Sequence, residues 1–332
     1  MTKILKRRFI GLIAISTLLF LAPLFSLKAM TVSPVRLELS GDPGTIVNGS
    51  FKATNDEEND QVLYTIFENF EASGETGSPS FKPGDSEGLA SWITAPSSVT
   101  IAPGENKNID FTITIPADAE AGGYFSAIFL ATAPPNSNSN ELAIGSRIGT
   151  LLLFRVNGDI IEGGDLIEFA TKDAQKWYSA LPINFYYRFQ NTGADRVFPK
   201  STLTIKNMIG RSTAVIDANQ SEGNVLPGSI RRFEVWWQDK DDASLIPGPQ
   251  PENQSFFETI KYQWNNFAFG RYSSKLDVTY GANDKTVSSN FSLFVFPWQL
   301  LLVEMGILLI AFFLLSFLFK KYNRWIIKKS RS

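Results

Sequence analysis

The 332-residue sequence contains no histidine and no cysteine. Without them the chain cannot form a Ser-His-Asp or Cys-His nucleophile system, an imidazole or thiolate metal site, or a disulfide. Enzyme chemistry would have to run on carboxylates, tyrosine, lysine or serine alone, so we expect a non-enzyme without cofactor or metal ion. Charged residues are sparse, at 19%, whereas 44% of the residues are hydrophobic, which favours a chain that folds around a core.

The N-terminus has the pattern of a secretory signal. A basic stretch, residues 1–8, precedes an apolar run over residues 9–27, which is the order found in signal peptides. We assign the signal to residues 1–29, with cleavage after Ala29. Because Leu27 is large for a cleavage site and the apolar run is long, an uncleaved membrane anchor stays open as an alternative.

A second apolar run, residues 298–319, predicts a transmembrane helix. Its 22 residues would span about 33 Å at 1.5 Å per residue, close to the ~30 Å hydrocarbon core of a bilayer. We place the helix at residues 297–319 and a basic tail at residues 320–332, which holds six Lys or Arg and no acid. The positive-inside rule puts this tail in the cytoplasm, so residues 30–296 of this single-pass protein should face outward from the cell membrane.

The outward-facing part is acidic. Without the two ends, 20 basic and 32 acidic residues remain, a net charge near −12. Such a surface makes nucleic acid an unsuitable partner, because phosphate backbones need a basic footprint.

Between the two ends the pattern is strand after strand, and no segment repeats its apolar residues at helical spacing. Runs rich in β-branched and aromatic residues are bounded by Gly, Pro, Asn and Asp clusters, which is typical of short strands. In the first half these runs are residues 32–39, 44–55, 62–70, 108–115, 124–131 and 147–157. In the second half they are residues 181–190, 201–206, 229–237, 274–280 and 287–296. This spacing predicts an all-β chain of immunoglobulin-like sandwiches.

Two signals recur between the halves. The stretch "VTIAPGENKNIDFTI" (residues 99–113) is matched by "VLPGSIRRFEV" (residues 225–235), and "FKATNDEENDQ" (residues 51–61) by "YRFQNTGADRV" (residues 187–197). We therefore predict two related β-sandwich domains in series, at residues 30–160 and 161–296, joined near the Gly163-Gly164 pair.

Residues 91–131 carry a family resemblance: "SWITAPSSVTIAPGENKNIDFTITIPADAEAGGYFSAIFLA". This order of Trp, Pro-Gly-Glu turn, alternating strand and Gly-Tyr strand resembles the WxL-interacting proteins of Gram-positive cell surfaces. The flanking "VSPVRLEL" and "RIGTLLLFRVNGD" fit the same layout. The resemblance implies a peptidoglycan-binding first domain and a second domain that binds partner proteins, although similar turns occur in pilus-chaperone-like sandwiches.

Four aromatic side chains are the candidate ligand contacts: Trp92, Tyr124, Trp236 and Trp237. Aromatic faces can stack on sugar rings, whereas sandwich cores also take up large aromatics, and both interpretations stay open for Trp92 and Tyr124. Trp236 and Trp237 are adjacent in a strand and should point to opposite faces, which leaves one of them as the better contact candidate.

These observations favour a binding protein. The main hypothesis is attachment to cell-wall peptidoglycan or to surface proteins through the two domains. The alternative is a membrane-anchored chaperone or assembly component that captures surface subunits by β-strand addition at an open sheet edge. A polar face with exposed aromatics would favour the first, and an unpaired apolar edge strand the second. A carboxylate hydrolase would instead need two acids about 5–10 Å apart in a cleft. The oligomeric state is left open.

Overall fold

The computed structural model describes residues 29–85, 87–134, 146–238 and 255–330. The predicted signal therefore lies outside the described residues, apart from Ala29. Within them the chain is built from strands and ends in one long apolar helix, which confirms the predicted all-β class with a C-terminal helix.

The first domain is a sandwich of two sheets. Its strands are β1 (Met30–Ser33), β2 (Arg36–Gly41), β3 (Ile46–Asn55), β4 (Gln61–Ser73), β5 (Ser78–Lys82), β6 (Ile93–Thr94), β7 (Ser98–Ile101), β8 (Asn106–Thr114), β9 (Gly122–Ala131) and β10 (Arg147–Val156). One sheet has the order β1-β3-β8-β6, and the other has the order β2-β10-β9-β4-β5 with β7 also paired to β4. Alternate residues of both sheets, such as Phe51, Phe111 and Phe154, form the core between them.

The second domain is also a two-sheet sandwich. Its strands are β11 (Gly164–Thr171), β12 (Trp177–Tyr178), β13 (Ile183–Asn191), β14 (Lys200–Lys206), β15 (Ser212–Asp217), β16 (Ile230–Trp237), β17 (Gly270–Tyr280) and β18 (Lys285–Val295). The sheet orders are β11-β13-β16 and β12-β18-β17-β14-β15. Phe185, Tyr187, Phe189 and Leu276 lie in its separate core. The predicted domain boundary at residue 160 falls in the connection between β10 and β11.

In the described residues, three helices accompany the sheets: α1 (Leu89–Trp92), α2 (Phe256–Asn265) and α3 (Trp298–Ser330). The expectation of no helix outside the membrane runs was wrong for α2. Its N-terminus carries a capping box, in which Ser255 Oγ accepts the Glu258 N–H and the Glu258 carboxylate accepts the Ser255 N–H. The transmembrane prediction ended at residue 319, but α3 continues without a break into the basic tail.

A buried asparagine explains the first member of the recurring signal that pairs residues 51–61 with residues 187–197. Asn55, at the end of β3, donates its amide hydrogens to the carbonyls of Asn59 and Ile101, both at 2.9 Å, and accepts the Glu57 N–H at 3.0 Å. Its side chain thereby joins the turn after β3 to the end of β7.

Asn191 does the same at the end of β13 in the second domain. It donates to the carbonyls of Asp195 at 2.7 Å and Val225 at 2.8 Å, and it accepts the Gly193 N–H at 2.8 Å. Both asparagines are fully buried. The repeat in the sequence is therefore a repeat of the same hydrogen-bonded joint in the two sandwiches.

Polar contacts fix the two domains to each other. The Glu75 carbonyl, in the turn between β4 and β5, accepts the Arg232 N–H at 2.8 Å, and its carboxylate accepts the Arg188 Nε–H at 2.9 Å. Glu38 of β2 accepts from Arg196 of the second domain at 3.0 Å. The pKa of Glu38 is lowered, because this bond and its Coulomb attraction outweigh the effect of burial.

Candidate functional site

The first pair of predicted contact residues packs against the core of the first domain. Trp92 and Tyr124 are half-buried, and their rings lie 4.6 Å apart between centroids. The Tyr124 hydroxyl donates to the Glu120 carbonyl at 3.1 Å, and burial raises its pKa. The two rings thus pack on each other and against the core, which is one of the two interpretations that the sequence left open. Their role as ligand contacts stays a prediction.

The second pair does point to opposite faces of β16, as the alternation predicted. Trp237 is 3% exposed and packs against Tyr272, with 4.8 Å between ring centroids, which leaves Trp236 as the better surface contact candidate of the pair. Trp236 is half-buried on the outer face of the sheet. The four predicted residues thus form no common site, since two lie in each domain.

A groove of about 890 Å³ runs along the side of the second domain where its two sheets end. The edge strand of one sheet, β16, forms one wall, and the edge strand of the other sheet, β15, forms the opposite wall. The floor is apolar because the space between the two edge strands opens onto the sandwich core. It is formed by Ile216, Ala218, Phe233, Val235, Trp237 and Tyr272.

The wall made by β16 presents unused main-chain groups. In an antiparallel pair successive residues direct their N–H and C=O alternately to the two sides. The Arg232 N–H bonds to Glu75 and therefore points away from β13, so Glu234 and Trp236 direct their main-chain groups the same way. Among the described residues, no strand pairs with this side of β16. The Arg232–Glu75 bond shows that a main-chain N–H of this edge already donates to a carbonyl outside its sheet.

The opposite wall, β15, has the same property. The Ala218 N–H bonds to the Ser201 carbonyl, so the even-numbered residues here face β14. Val215 therefore directs its N–H and C=O outward, and its side chain is 67% exposed. Within the described part of the chain, β15 has no partner beyond β14. Two open edges thus flank one apolar floor.

Two open edges in the first domain, on β3 and β10, are shorter or more polar. The strand β1 pairs only with residues 52–55 of β3. In the described structure, residues 46–51 of β3 have no partner strand on that side. The outward side chains there include Asn48 and Ser50, and both are exposed. On β10, the pairing with β2 begins at Leu151, so only residues 147–150 are open. Neither edge borders an apolar groove comparable to that of the second domain.

Charged side chains of both signs line the outer rim of β16. Glu234 lies 3.2 Å from Lys172 and 3.5 Å from Arg232, whose guanidinium sits 4.0 Å above the Tyr186 ring. Burial raises the pKa of Glu234, but hydrogen bonds from Asn184 and Lys172 outweigh this effect and the pKa is lowered. Glu234 is thus held as a carboxylate beside the open edge. In the described residues, no three acidic side chains are grouped so as to hold a metal ion.

Comparisons with known proteins give fold likenesses but no family. No family model matches the sequence, and no curated protein does. The fold is similar to that of a class 5 fimbriae chaperone, CfaA, with 11% identity and a TM-score of 0.39 over 79% of this chain and 98% of that one. It is also similar to the chaperone CupB2 of Pseudomonas aeruginosa, with 9% identity and a TM-score of 0.34 over 79% and 100%. The E. coli chaperone DraB gives 10% identity and a TM-score of 0.34 over 81% and 97%.

The three neighbours are chaperones, which is the kind of protein that the alternative hypothesis names. With TM-scores below 0.5, the similarity by itself assigns no function to this chain.

Sequence reasoning did not find the groove. Whether a strand lies at an edge depends on which distant strand pairs beside it. Residues 229–237 were predicted as a strand without any sign of an edge, and residues 212–217 were not predicted as a strand. One signal was present: Val215 is apolar, whereas Thr213 and Asp217, on the same face of the strand, are polar.

Proposed function

We propose that this chain is a membrane-anchored, extracytoplasmic, non-enzymatic protein that binds an extended segment of a protein partner by β-strand addition in the groove between β15 and β16. The partner would be a surface or secreted subunit, as expected for a chaperone or assembly component. The immunoglobulin-like domains would serve as a rigid support for this groove.

The pair of open edges above an apolar floor carries the proposal. An incoming strand would form main-chain hydrogen bonds to one edge and lay every second side chain on the floor, which is the usual division of labour in β-strand addition. Beyond Arg232, whose N–H is bonded to Glu75, residues 233–237 of β16 offer a length of about 17 Å, enough for one short strand. Sugar binding is less well supported, because no exposed pair of aromatics was found at the predicted positions.

The anchor is α3. By length and composition, its segment Trp298–Ile326 is sufficient to cross a membrane, and its large apolar side chains are mostly exposed. Residues 30–296 would then face the outside and the basic end of α3 the cytoplasm. The resemblance to WxL-interacting proteins, with peptidoglycan as ligand of the first domain, stays a prediction from the sequence.

Proline substitutions at the two open edges test the binding mode. Proline at Val215 or Glu234 removes only an outward N–H and leaves the native ladder intact, which edge strands tolerate. The matched controls Val215→Thr and Glu234→Ala keep the N–H. The probes are peptides selected from a twelve-residue display library against the full chain in nanodiscs.

We expect the selected peptides to alternate apolar and polar residues. One of the two proline variants should weaken their binding at least about fivefold relative to its control, since one main-chain hydrogen bond contributes about 1 kcal/mol. Failure to enrich any peptide, or equal binding by the proline variants and their controls, would overturn the proposal.

A further inference from the structure

The end of the second domain that adjoins α3 exposes an unusual number of aromatic side chains. Phe257 is 79% exposed and Trp264 66%, and four further aromatics nearby are between 43% and 50% exposed. These four are Phe267, Phe269, Phe296 and Trp298. Large apolar side chains crowded at one end of a domain indicate a surface that is covered in the working protein.

These residues surround the first turn of α3. The fully buried Gln263, on α2, accepts the Leu300 N–H at 3.0 Å and also bonds to the Gln299 side chain. The Phe269 and Phe296 rings lie 6.0 Å apart between centroids. The helix α2 is therefore docked at the level where the apolar part of α3 begins.

The outward face of α2 has the composition of a helix that lies in a membrane interface. Phe257, Lys261 and Trp264 are spaced by four and three residues, so they share one face, and all three are exposed. Aromatic rings concentrate at the headgroup level of bilayers, and a lysine among them can extend its ammonium to the headgroups. Glu258, also exposed, is the one acid on α2 and is held by the capping box.

A second element reaches the same end independently. The turn between β14 and β15 exposes Met208 to 60% and Ile209 to 79% at its tip, between the exposed basic residues Lys206 and Arg211. Met208 contacts the backbone at Gly270, where β17 starts directly after the aromatic segment. An apolar tip flanked by basic side chains fits a bilayer that contains anionic lipid.

We propose that this end of the second domain, formed by α2, the 207–211 turn and the aromatics around Trp298, rests in the headgroup region of the outer leaflet. The proposal rests on the proposed insertion of α3, because the membrane is the surface that continues from that helix. The contact would hold the domain upright on one side of α3 and fix the direction in which the β15–β16 groove opens. A partner protein covering the same aromatics is the competing outcome.

The absence of cysteine makes a single-site label possible in the full chain. Phe257→Cys and Ile209→Cys report the two elements, and Val62→Cys, exposed on the first domain, is the control. Leu309→Cys reports insertion of α3, since it lies about 16 Å along the helix from Trp298. Each variant carries an environment-sensitive dye and is placed in vesicles of phosphatidylcholine and phosphatidylglycerol, with a quencher at a shallow or a deep position of the acyl chain.

We expect the shallow quencher to act more strongly than the deep one at positions 257 and 209, the reverse order at 309, and no lipid quenching at 62. If 309 is quenched but 257 and 209 are not, the membrane contact is wrong although the anchor is right. If 309 is not quenched, the proposed anchor itself fails. A label at 257 that is shielded from aqueous iodide but not reached by either lipid quencher would show a protein-covered surface and overturn the proposal.

Discussion

The repeated asparagine joint makes a quantitative prediction about stability. Replacing Asn55 or Asn191 by alanine removes three hydrogen bonds to main-chain groups. The Val225 carbonyl keeps its bond from the Val197 N–H, and Asn59 is exposed, so its carbonyl can bond to water. A buried group that loses its partner costs about 1–3 kcal/mol, so we expect each substitution to lower the free energy of unfolding of its own domain by about 2–3 kcal/mol.

The assay is urea unfolding of the full chain in nanodiscs, read by pulsed hydrogen exchange so that peptides of each domain report separately. Asn55→Asp and Asn191→Asp are the matched variants, because they keep the side-chain shape and the acceptor but lose both donors. Asn48→Ala is the control, since this exposed asparagine makes one side-chain bond, to Thr112 at 3.0 Å, and should change stability by less than about 0.5 kcal/mol. If the two buried asparagines prove no costlier than Asn48, the joint does not hold the domains as argued.

Two further predictions concern titration and the second core. The Arg188 hydrogen bond lowers the pKa of Glu75 below its ordinary 4.5, so the junction between the domains is stabilised above that pH and should loosen as pH falls below it. Spin labels across the junction should separate on acidification, and Glu75→Gln should separate them at neutral pH too. Tyr187→Phe removes a buried 2.8 Å hydrogen bond to Ser201 and should cost the second domain about 1–2 kcal/mol in the same urea assay, whereas an unchanged midpoint would contradict this. Because burial raises the pKa of Tyr187, its phenol should not ionise in the folded protein near pH 10.

Most of the longer strands followed from the sequence because alternation of apolar residues is a local property, whereas β5, β11 and β15 were not predicted. The recurring signals also predicted a structural repeat, and the hydrogen bonds made by the buried Asn55 and Asn191 are the feature that repeats. The helix at residues 256–265 was missed because its aromatics face outward, so no stripe of apolar residues toward a core marks it. The groove was missed because edge strands are defined by long-range pairing, which one sequence does not report.

The four candidate aromatics also show that contacts between distant parts of the chain do not follow from one sequence. Alternation correctly placed Trp236 and Trp237 on opposite faces, but which of them is buried depends on the partner sheet. Trp92 and Tyr124 are separated by 32 positions in the sequence, and their mutual packing arises only when α1 is laid against the edge of the first core.

The central claim, strand addition at the groove, is tested most directly by residue-resolved amide exchange of the full chain with and without a selected peptide. Strand addition predicts protection at alternate residues of one edge: either Glu234 and Trp236 of β16, or Val215 and Asp217 of β15. The intervening amides, already bonded within their sheets, should not change. Protection that spreads evenly over neighbouring residues, or that falls in the first domain, would contradict the account.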